Sequence, residues 1–100
     1  MRDHNYYIYI LTSLNRRVLY TGVTNDLSRR LTQHIACVNK TSFTSKYKCH
    51  FLIFYEHFKY IDEAIDREKE IKGWSRKKKE DLIATKNKDW KFLNEEVIEI

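Results

Sequence analysis

Two runs of aromatic and β-branched residues lie close together near the start of the chain. Residues 5–12 read NYYIYILT and residues 17–23 read RVLYTGV, and such compositions favour β-strands. Only a short polar segment separates the runs, with Asn15 suited to the left-handed turn conformation, so together they predict an antiparallel hairpin. The first run is apolar on both faces, which is typical of a strand covered on two sides.

Alternation along the two strands determines which side chains share a face of the sheet. The residues on shared faces are Tyr7, Tyr9 and Leu11 in the first strand, and Val18, Tyr20 and Gly22 in the second.

A helix and a third strand are predicted after the hairpin. Thr24-Asn25-Asp26 supplies N-cap chemistry for a helix over 27–38, in which apolar residues recur at helical spacing. The polar segment 39–45 is predicted as a loop. Residues 51–57, FLIFYEH, are predicted as a short and strongly apolar third strand.

Two further helices are predicted in the second half. Asp62 caps a helix that ends near Lys72, and Gly73 takes the C′ position, which requires a positive φ. Ser75 caps the next helix, over 76–85.

The last part of the chain is predicted to pack and then to become flexible. Trp90, Phe92 and Leu93 dock on the core, and residues 94–100 form a flexible tail. The order β-β-α-β-α-α predicts an α/β fold of the α+β type. Residues 1–100 form a single domain, with a three-stranded antiparallel sheet flanked by helices.

Composition agrees with one folded domain. The chain has 100 residues, 42% of them hydrophobic, with two Gly and no Pro, which argues against disorder and low-complexity linkers. It contains neither an apolar run of the ~18 residues that a membrane span needs nor a signal peptide, so we expect no membrane partner and a cytoplasmic location. Cys37 and Cys49 match neither a disulfide framework nor zinc spacing, and both are predicted to be reduced thiols.

The charge balance favours an anionic partner. Nineteen Lys and Arg against fourteen Asp and Glu give a net charge of +5, and nucleic acid is the commonest such partner of a small basic domain. The stretch 67–79, REKEIKGWSRKKK, is the most basic part and has Trp74 at its centre. Such a run either tracks a phosphate backbone and stacks a base or is a solvated helix face.

Two predicted helices carry polar side chains suited to chemistry beside their apolar stripes. Arg30 and His34 are four residues apart on one face of the first helix and point to an anionic ligand, unless both extend into water. Glu68 lies on the apolar stripe of the second helix, which we define by Ile61, Ala64, Ile65, Ile71 and Lys72. A carboxylate there needs a salt-bridge partner or a hard cation such as Mg²⁺.

These features occur together in a pattern that resembles the GIY-YIG nuclease superfamily, and most closely its small stand-alone bacterial members. Tyr7-Ile8-Tyr9 resembles the first motif, and Tyr20-Thr21-Gly22 resembles the second. Arg30 and His34 fall at the spacings of the family's arginine and its following His or Tyr. Glu68 corresponds to its metal-binding glutamate. The resemblance covers about residues 6–93, with FTSKY at 43–47 and the Asn-x-x-Trp run at 87–90.

The resemblance implies metal-dependent hydrolysis of phosphodiester bonds by an endonuclease, with Mg²⁺ or Mn²⁺ held by Glu68. Arg30 would neutralise developing charge, Tyr20 would act near the attacking water, and Tyr9 and His34 would orient the reactants. We expect these side chains to converge on one cleft. The residues predicted to bind nucleic acid are Arg29, Lys46, Lys72, Trp74, Arg76, Lys77 and Lys78.

The expected partner is nucleic acid, most readily DNA in repair or recombination, with a partner protein as one source of specificity and no small-molecule cofactor. The alternative is a nucleic-acid-binding module that keeps the nuclease fold with weak or no activity.

Overall fold

The computed structural model describes residues 5–35 and 47–97, apart from the side chains of residues 34 and 35. Three strands, β1 (Tyr6–Thr12), β2 (Leu19–Thr24) and β3 (Phe51–Phe58), form one antiparallel sheet in the order β2-β1-β3. The helices are α1 (Leu27–Ile35), α2 (Ile61–Lys72), α3 (Arg76–Lys86) and α4 (Asn94–Val97). The predicted order of elements and the antiparallel three-stranded sheet are confirmed.

Strand β1 is central and buries side chains on both faces, as predicted. One face is covered by α2 and α3, and its buried residues, here called the first core, are Ile8, Ile10, Ile53, Phe54, Ala64, Ile71 and Ile83. The other face is covered by α1, and its buried residues, the second core, are Tyr9, Leu11, Leu27, Leu31, Cys49 and Leu52. Each large side chain fully buried in this way stabilises the fold by about 1.5–3 kcal/mol.

A β-bulge in β3 decides which of its residues enter each core. Ile10 pairs with Phe54 but the next residue, Leu11, pairs with Leu52, so Ile53 is an extra residue in the ladder. Because of this extra residue, Ile53 and Phe54 both pack in the first core while Leu52 packs in the second. The run of apolar letters in β3 predicts burial but not this change of face.

Cys49 is fully buried in the second core and is a free thiol. Burial raises the pKa of this thiol to about 11, because the apolar surroundings disfavour the charged thiolate. It is therefore neutral and unreactive at physiological pH. Cys37 lies outside the described residues.

The β1–β2 turn departs from its prediction. Arg16, and not Asn15, has the left-handed backbone, with φ of 61°. The Asn15 side chain instead accepts hydrogen bonds from Ser13 Oγ at 2.7 Å and from the Arg17 backbone N–H at 3.1 Å. Because Asn15 uses its side chain to close the turn, the positive φ falls one residue later.

Two helix N-caps are confirmed and one is wrong. Asp26 accepts a hydrogen bond from the Arg29 N–H at the start of α1, and Ser75 accepts one from the Lys78 N–H at the start of α3. Helix α2 instead begins at Ile61 after Tyr60, which makes no side-chain cap. Asp62 lies within its first turn, where a carboxylate still interacts favourably with the helix dipole.

The C-terminal end of α2 also differs from its prediction. Gly73 has φ of −80°, an ordinary helical value, so no positive φ is required there. Its N–H shares the carbonyls of Lys69 and Glu70, both at 3.2 Å, which ends the helix without a left-handed residue. Two assignments to the inner stripe are also wrong, since Ile61 and Lys72 are exposed.

The packed part of the C-terminal segment extends further along the chain than predicted. Trp90 and Phe92 pack against the first core, and Leu93 against the second, as expected. Asn94, predicted as the start of a flexible tail, begins a short helix: its Oδ1 accepts from the Leu52 N–H and its Nδ2 donates to the His50 carbonyl, both at 2.9 Å. The prediction is therefore wrong for residues 94–97. Residues 98–100, the end of the predicted helix at 36–38 and the loop 39–45 lie outside the described residues.

Candidate active site

Tyr9 lies at the centre of the candidate site. It is on β1, pairs with Gly22 of β2, and is 1% exposed. The Tyr9 ring crosses directly over Gly22, because a Cβ added to Gly22 would stand 2.5 Å from Tyr9 Cζ and Oη. Any side chain at position 22 would therefore displace Tyr9. The Gly of the second motif is required by this close approach.

Tyr20 of β2 lies beside Tyr9, with ring centroids 6.3 Å apart and tilted by 44°. The Tyr9 hydroxyl also accepts a hydrogen bond from the Arg30 guanidinium of α1. Two strands and one helix thus bring a phenol pair and a guanidinium together. Alternation in the strands places the two tyrosines on one face, and the Asp26 cap starts α1 so that Arg30 follows one turn later.

The pKa of Tyr9 is shifted by its burial and by three charged or ionisable neighbours. Burial is the largest cause that raises the pKa of Tyr9 far above its ordinary value of 10, and the charges of Tyr20 and Glu68 raise it further. The Arg30 guanidinium acts in the opposite direction but does not prevail. At neutral pH the Tyr9 hydroxyl therefore keeps its proton and acts as a donor, while a guanidinium stands beside it.

Glu68 of α2 is the fourth member of the site. Its side chain is 16% exposed, and its Oε2 lies 3.1 Å from Nζ of Lys72 one turn later. Of the two alternatives drawn from the sequence, a salt bridge and a hard cation, the salt bridge is present. Helix α2 covers the first-core face, whereas Tyr9 and Tyr20 pack with the second core. The Glu68 carboxylate is nevertheless near enough to Tyr9 for its charge to raise the pKa of that hydroxyl, and the Tyr9 ring lies over Gly22 of β2, the edge strand.

The other predicted residues take varied positions. His34 is on α1, one turn after Arg30, and its side chain lies outside the described part of the chain. Arg29 is exposed on α1, and Lys46 is not among the described residues. Lys77 is strongly exposed, with Nζ 3.8 Å from Asp81 Oδ1.

Trp74 and Arg76 have structural contacts that the sequence did not predict. The Trp74 ring packs against the first core, with Lys78 Nζ 4.4 Å and Arg67 Cζ 5.2 Å from its centroid. The Arg76 guanidinium donates to the backbone carbonyls of Arg16 and Arg17 and bonds Glu80. These contacts hold the β1–β2 turn against α3, so any phosphate contact by Arg76 would compete with them.

Sequence reasoning missed the pair that orients α2. Arg67 Nε donates to Glu56 Oε1 at 2.9 Å, and its Nη2 donates to Glu56 Oε2 at 3.2 Å. These hydrogen bonds raise the pKa of Arg67. A carboxylate inside the apolar run of β3 was the signal that could have indicated Glu56. The pair holds the helix to the sheet one residue before Glu68.

The donor set permits one kind of metal site. The described residues contain no group of three or more His, Cys, Asp and Glu side chains that could enclose an ion. Mg²⁺ characteristically keeps several waters and binds through one or two carboxylates together with substrate phosphates. Glu68, largely buried and partly open to solvent, fits this open type of site and would not fit a closed cage.

A small α+β domain with two tyrosines on neighbouring strands, a helical arginine bonded to one of them and a glutamate near enough to act on it electrostatically has the features of a nuclease fold. Residues 5–81 match the GIY-YIG catalytic domain, and the chain belongs to the GIY-YIG family. Nucleases of this family generally use divalent metal ions. In the described part of the chain, every helix is too short or too polar to cross a membrane.

Several relatives carry the name UPF0213 protein. The chain is 36% identical over 80 residues to one from Bacillus pumilus, covering 80% of each chain. It is 38% identical over 82 residues to one from Natronomonas pharaonis, covering 82% of this chain and 92% of that one. The solution NMR structure of a UPF0213 protein from Bacillus halodurans is similar to it, with a TM-score of 0.56 and 34% identity. That match covers 86% of this chain and 89% of the other. The resemblance to small stand-alone GIY-YIG proteins is therefore confirmed.

Proposed function

We propose that this protein is a metal-dependent endonuclease that hydrolyses phosphodiester bonds, with DNA as its substrate. The observation that supports the proposal is the contact of Tyr9 with Tyr20 and Arg30, within reach of the Glu68 charge, in a chain of the GIY-YIG family. Repair or recombination in the cytoplasm is the expected setting. A partner protein is the expected source of sequence specificity.

Glu68 would hold the metal, Mg²⁺ or Mn²⁺, through its carboxylate. When bound, such a cation supplies Lewis-acid polarisation of a phosphoryl oxygen and steadies the leaving oxygen. Arg30, always protonated, would donate to the non-bridging oxygens of the phosphate and neutralise the charge that develops there.

The two tyrosines would have different catalytic roles. Tyr9 is buried and keeps its proton, so it would donate a hydrogen bond to the phosphate or the incoming water. Tyr20, half-buried and nearer the surface, would accept the proton of the water as general base. In the hydrolysis, the water oxygen bonds to phosphorus, the bond to the leaving oxygen breaks, and that oxygen takes up a proton. His34 would help to orient the water.

The exposed cations would hold the rest of the nucleic acid. Arg29, Lys77 and Lys78 lie on α1 and the start of α3 and are exposed, as side chains that contact a phosphate backbone need to be. Lys46, Lys72, Trp74 and Arg76 complete the proposed binding set.

Substitution of Glu68 tests the proposal. Glu68→Ala should lower cleavage of nicked, branched, single- or double-stranded DNA in Mg²⁺ or Mn²⁺ by at least about 100-fold, since the metal would lose its protein ligand. Binding of the same DNA should not decrease, because the exposed cations are unchanged and only a negative charge is removed. Cleavage is measured by gel assay, and binding by fluorescence anisotropy in EDTA.

Glu63→Ala is the matched control, because Glu63 is an exposed carboxylate on the same helix and should leave cleavage unchanged. Equal cleavage by the wild type and Glu68→Ala would contradict the assignment of Glu68. A wild-type protein that neither binds nor cuts any substrate across salt concentrations would contradict the function as a whole.

The second candidate function is a nucleic-acid-binding module without nuclease activity. It is favoured by the ion pair between Glu68 and Lys72, which neutralises the proposed metal ligand from within the chain. A wild-type protein that binds DNA but does not cut it with either metal would support this module and contradict the enzyme.

A further inference from the structure

Lys72 forms an ion pair with the proposed metal ligand. Its Nζ is 3.1 Å from Glu68 Oε2, and the two residues are one helical turn apart. The Lys72 side chain is 51% exposed while that of Glu68 is 16% exposed. The pair therefore joins a largely buried carboxylate to a half-exposed lysine side chain.

The ion pair is weak enough for another cation to replace Lys72 on Glu68. Half-exposed lysine pairs at this helical spacing contribute little to stability, because solvent screens them and the long side chain loses freedom. A divalent cation on Glu68 would carry twice the charge of Lys72 and would repel the ammonium. Cation binding at Glu68 and the observed ion pair therefore oppose each other.

A released Lys72 would find no second carboxylate three or four positions earlier on its own helix. The residue three positions earlier is Lys69, another cation, and the nearby carboxylate of Glu70 is bound to Arg67 Nη1. Lys72 has three donors and no acceptor, so the exchange would leave its ammonium available to a substrate phosphate near Glu68.

We propose that Lys72 is an internal counter-ion that alternates between Glu68 and the nucleic-acid backbone. In the metal-free protein it neutralises Glu68, and on cation binding it is displaced and takes a substrate phosphate. Metal binding and nucleic-acid binding then strengthen each other through this one side chain. The inference rests on the proposed function, since it assumes a metal on Glu68 and a nucleic-acid ligand.

The first test uses Mn²⁺ alone, without nucleic acid. Paramagnetic broadening of the α2 amide NMR signals should show that Lys72→Met binds Mn²⁺ several-fold more tightly than the wild type, because no ammonium has to be displaced. Lys69→Met removes a charge from the same helix and is the matched control, with a smaller expected effect. A Lys72→Met affinity no greater than that of Lys69→Met would overturn the proposal.

The second test measures binding of a short DNA duplex in EDTA, where cleavage cannot occur. Glu68→Gln should free Lys72 and raise affinity about 3- to 10-fold over the wild type. This gain should disappear in the double variant Glu68→Gln/Lys72→Met when it is compared with Lys72→Met alone. Glu63→Gln, which removes an exposed acid from α2, should show a smaller gain.

A gain that persists without Lys72 would mean that Glu68→Gln acts only by removing negative charge, and would overturn the proposal. NMR spectra of each variant check that the fold is intact. If the wild type cleaves DNA in Mg²⁺ but both tests show no effect of Lys72, the counter-ion role fails while the proposed function stands. If the wild type binds no nucleic acid at any salt concentration, both fail.

Discussion

Gly22 is the residue whose missing side chain does most to shape the candidate site. It is not needed for an unusual backbone, because neither glycine has a positive φ. It is needed because the Tyr9 ring occupies the space of its Cβ, with Tyr20 Cε2 3.1 Å from the same point. A conformational argument alone would have given the wrong reason for this glycine.

Gly22→Ala should destabilise the protein by about 1–3 kcal/mol, because a methyl group would overpack the Tyr9 ring, which is fixed in the second core. Cleavage should fall by more than the loss of folded protein explains, since both tyrosines would move. Urea unfolding and the gel assay provide the two measurements.

Gly73→Ala is the control for the same chemical change. Its Cβ would meet Glu70 O at 3.5 Å, an ordinary contact, and its φ is already helical. This variant should be neutral or stabilise the protein by up to about 1 kcal/mol. Equal stabilities of the two variants would contradict the close approach of Tyr9 to Gly22.

At the scale of elements, the contact between α2 and β3 decides where Glu68 points. The bidentate pair of Arg67 and Glu56 joins the helix to the sheet, and the Arg67 guanidinium also covers the Trp74 ring. Helix α2 therefore has a fixed rotation about its axis, one residue before the proposed metal ligand.

Arg67→Met should lower the free energy of unfolding by about 2–3 kcal/mol, because it leaves the Glu56 carboxylate, only 18% exposed, without its charged partner. Arg67→Lys should recover part of the loss, since a lysine keeps the charge but cannot bond both oxygens in parallel. Urea denaturation of the three proteins makes the comparison.

Lys77→Met serves as the reference, because it breaks a longer and well-exposed ion pair to Asp81, of a kind that rarely contributes measurable stability. If Arg67→Met were no less stable than Lys77→Met, the pair with Glu56 would not hold α2 in place.

At the scale of the whole molecule, the structure shows which of the cations behind the net charge of +5 are paired and which are exposed. Several of the cations of 67–79 are engaged within the protein, since Arg67, Lys72 and Arg76 are paired with carboxylates. Fewer cations are therefore available to an external anion than the basic residues of 67–79 suggest. The available ones include exposed side chains such as Arg29 and Lys77, whose pair with Asp81 is long and well exposed.

Binding to a DNA duplex should weaken with salt, with a slope of log affinity against log salt of about −3, if roughly three phosphates are neutralised. Lys77→Met should make the slope less steep by about 1 unit. Anisotropy titrations from low to physiological salt, in EDTA, measure both slopes. Binding that is independent of salt would contradict a phosphate-directed surface.

The sequence by itself determined the features that depend on neighbouring residues. Strands β1, β2 and β3 follow from runs of aromatic and β-branched residues, and α1 and α3 begin where Asp26 and Ser75 accept backbone hydrogen bonds. The ordered motifs were sufficient to indicate the family, because their spacing reflects the same succession of elements.

Only the tertiary structure decided which partner each side chain takes. The Cβ space of Gly22 is filled by Tyr9 of the adjacent strand, the Glu56 carboxylate meets Arg67 from α2, and Arg76 binds a turn 59 residues away in sequence. Such contacts depend on how elements pack, and no local pattern encodes them. The same reason explains why Glu68 and its partner Lys72, one helical turn apart, can be recognised from the sequence of a single helix, whereas the approach of the Glu68 charge to Tyr9 cannot.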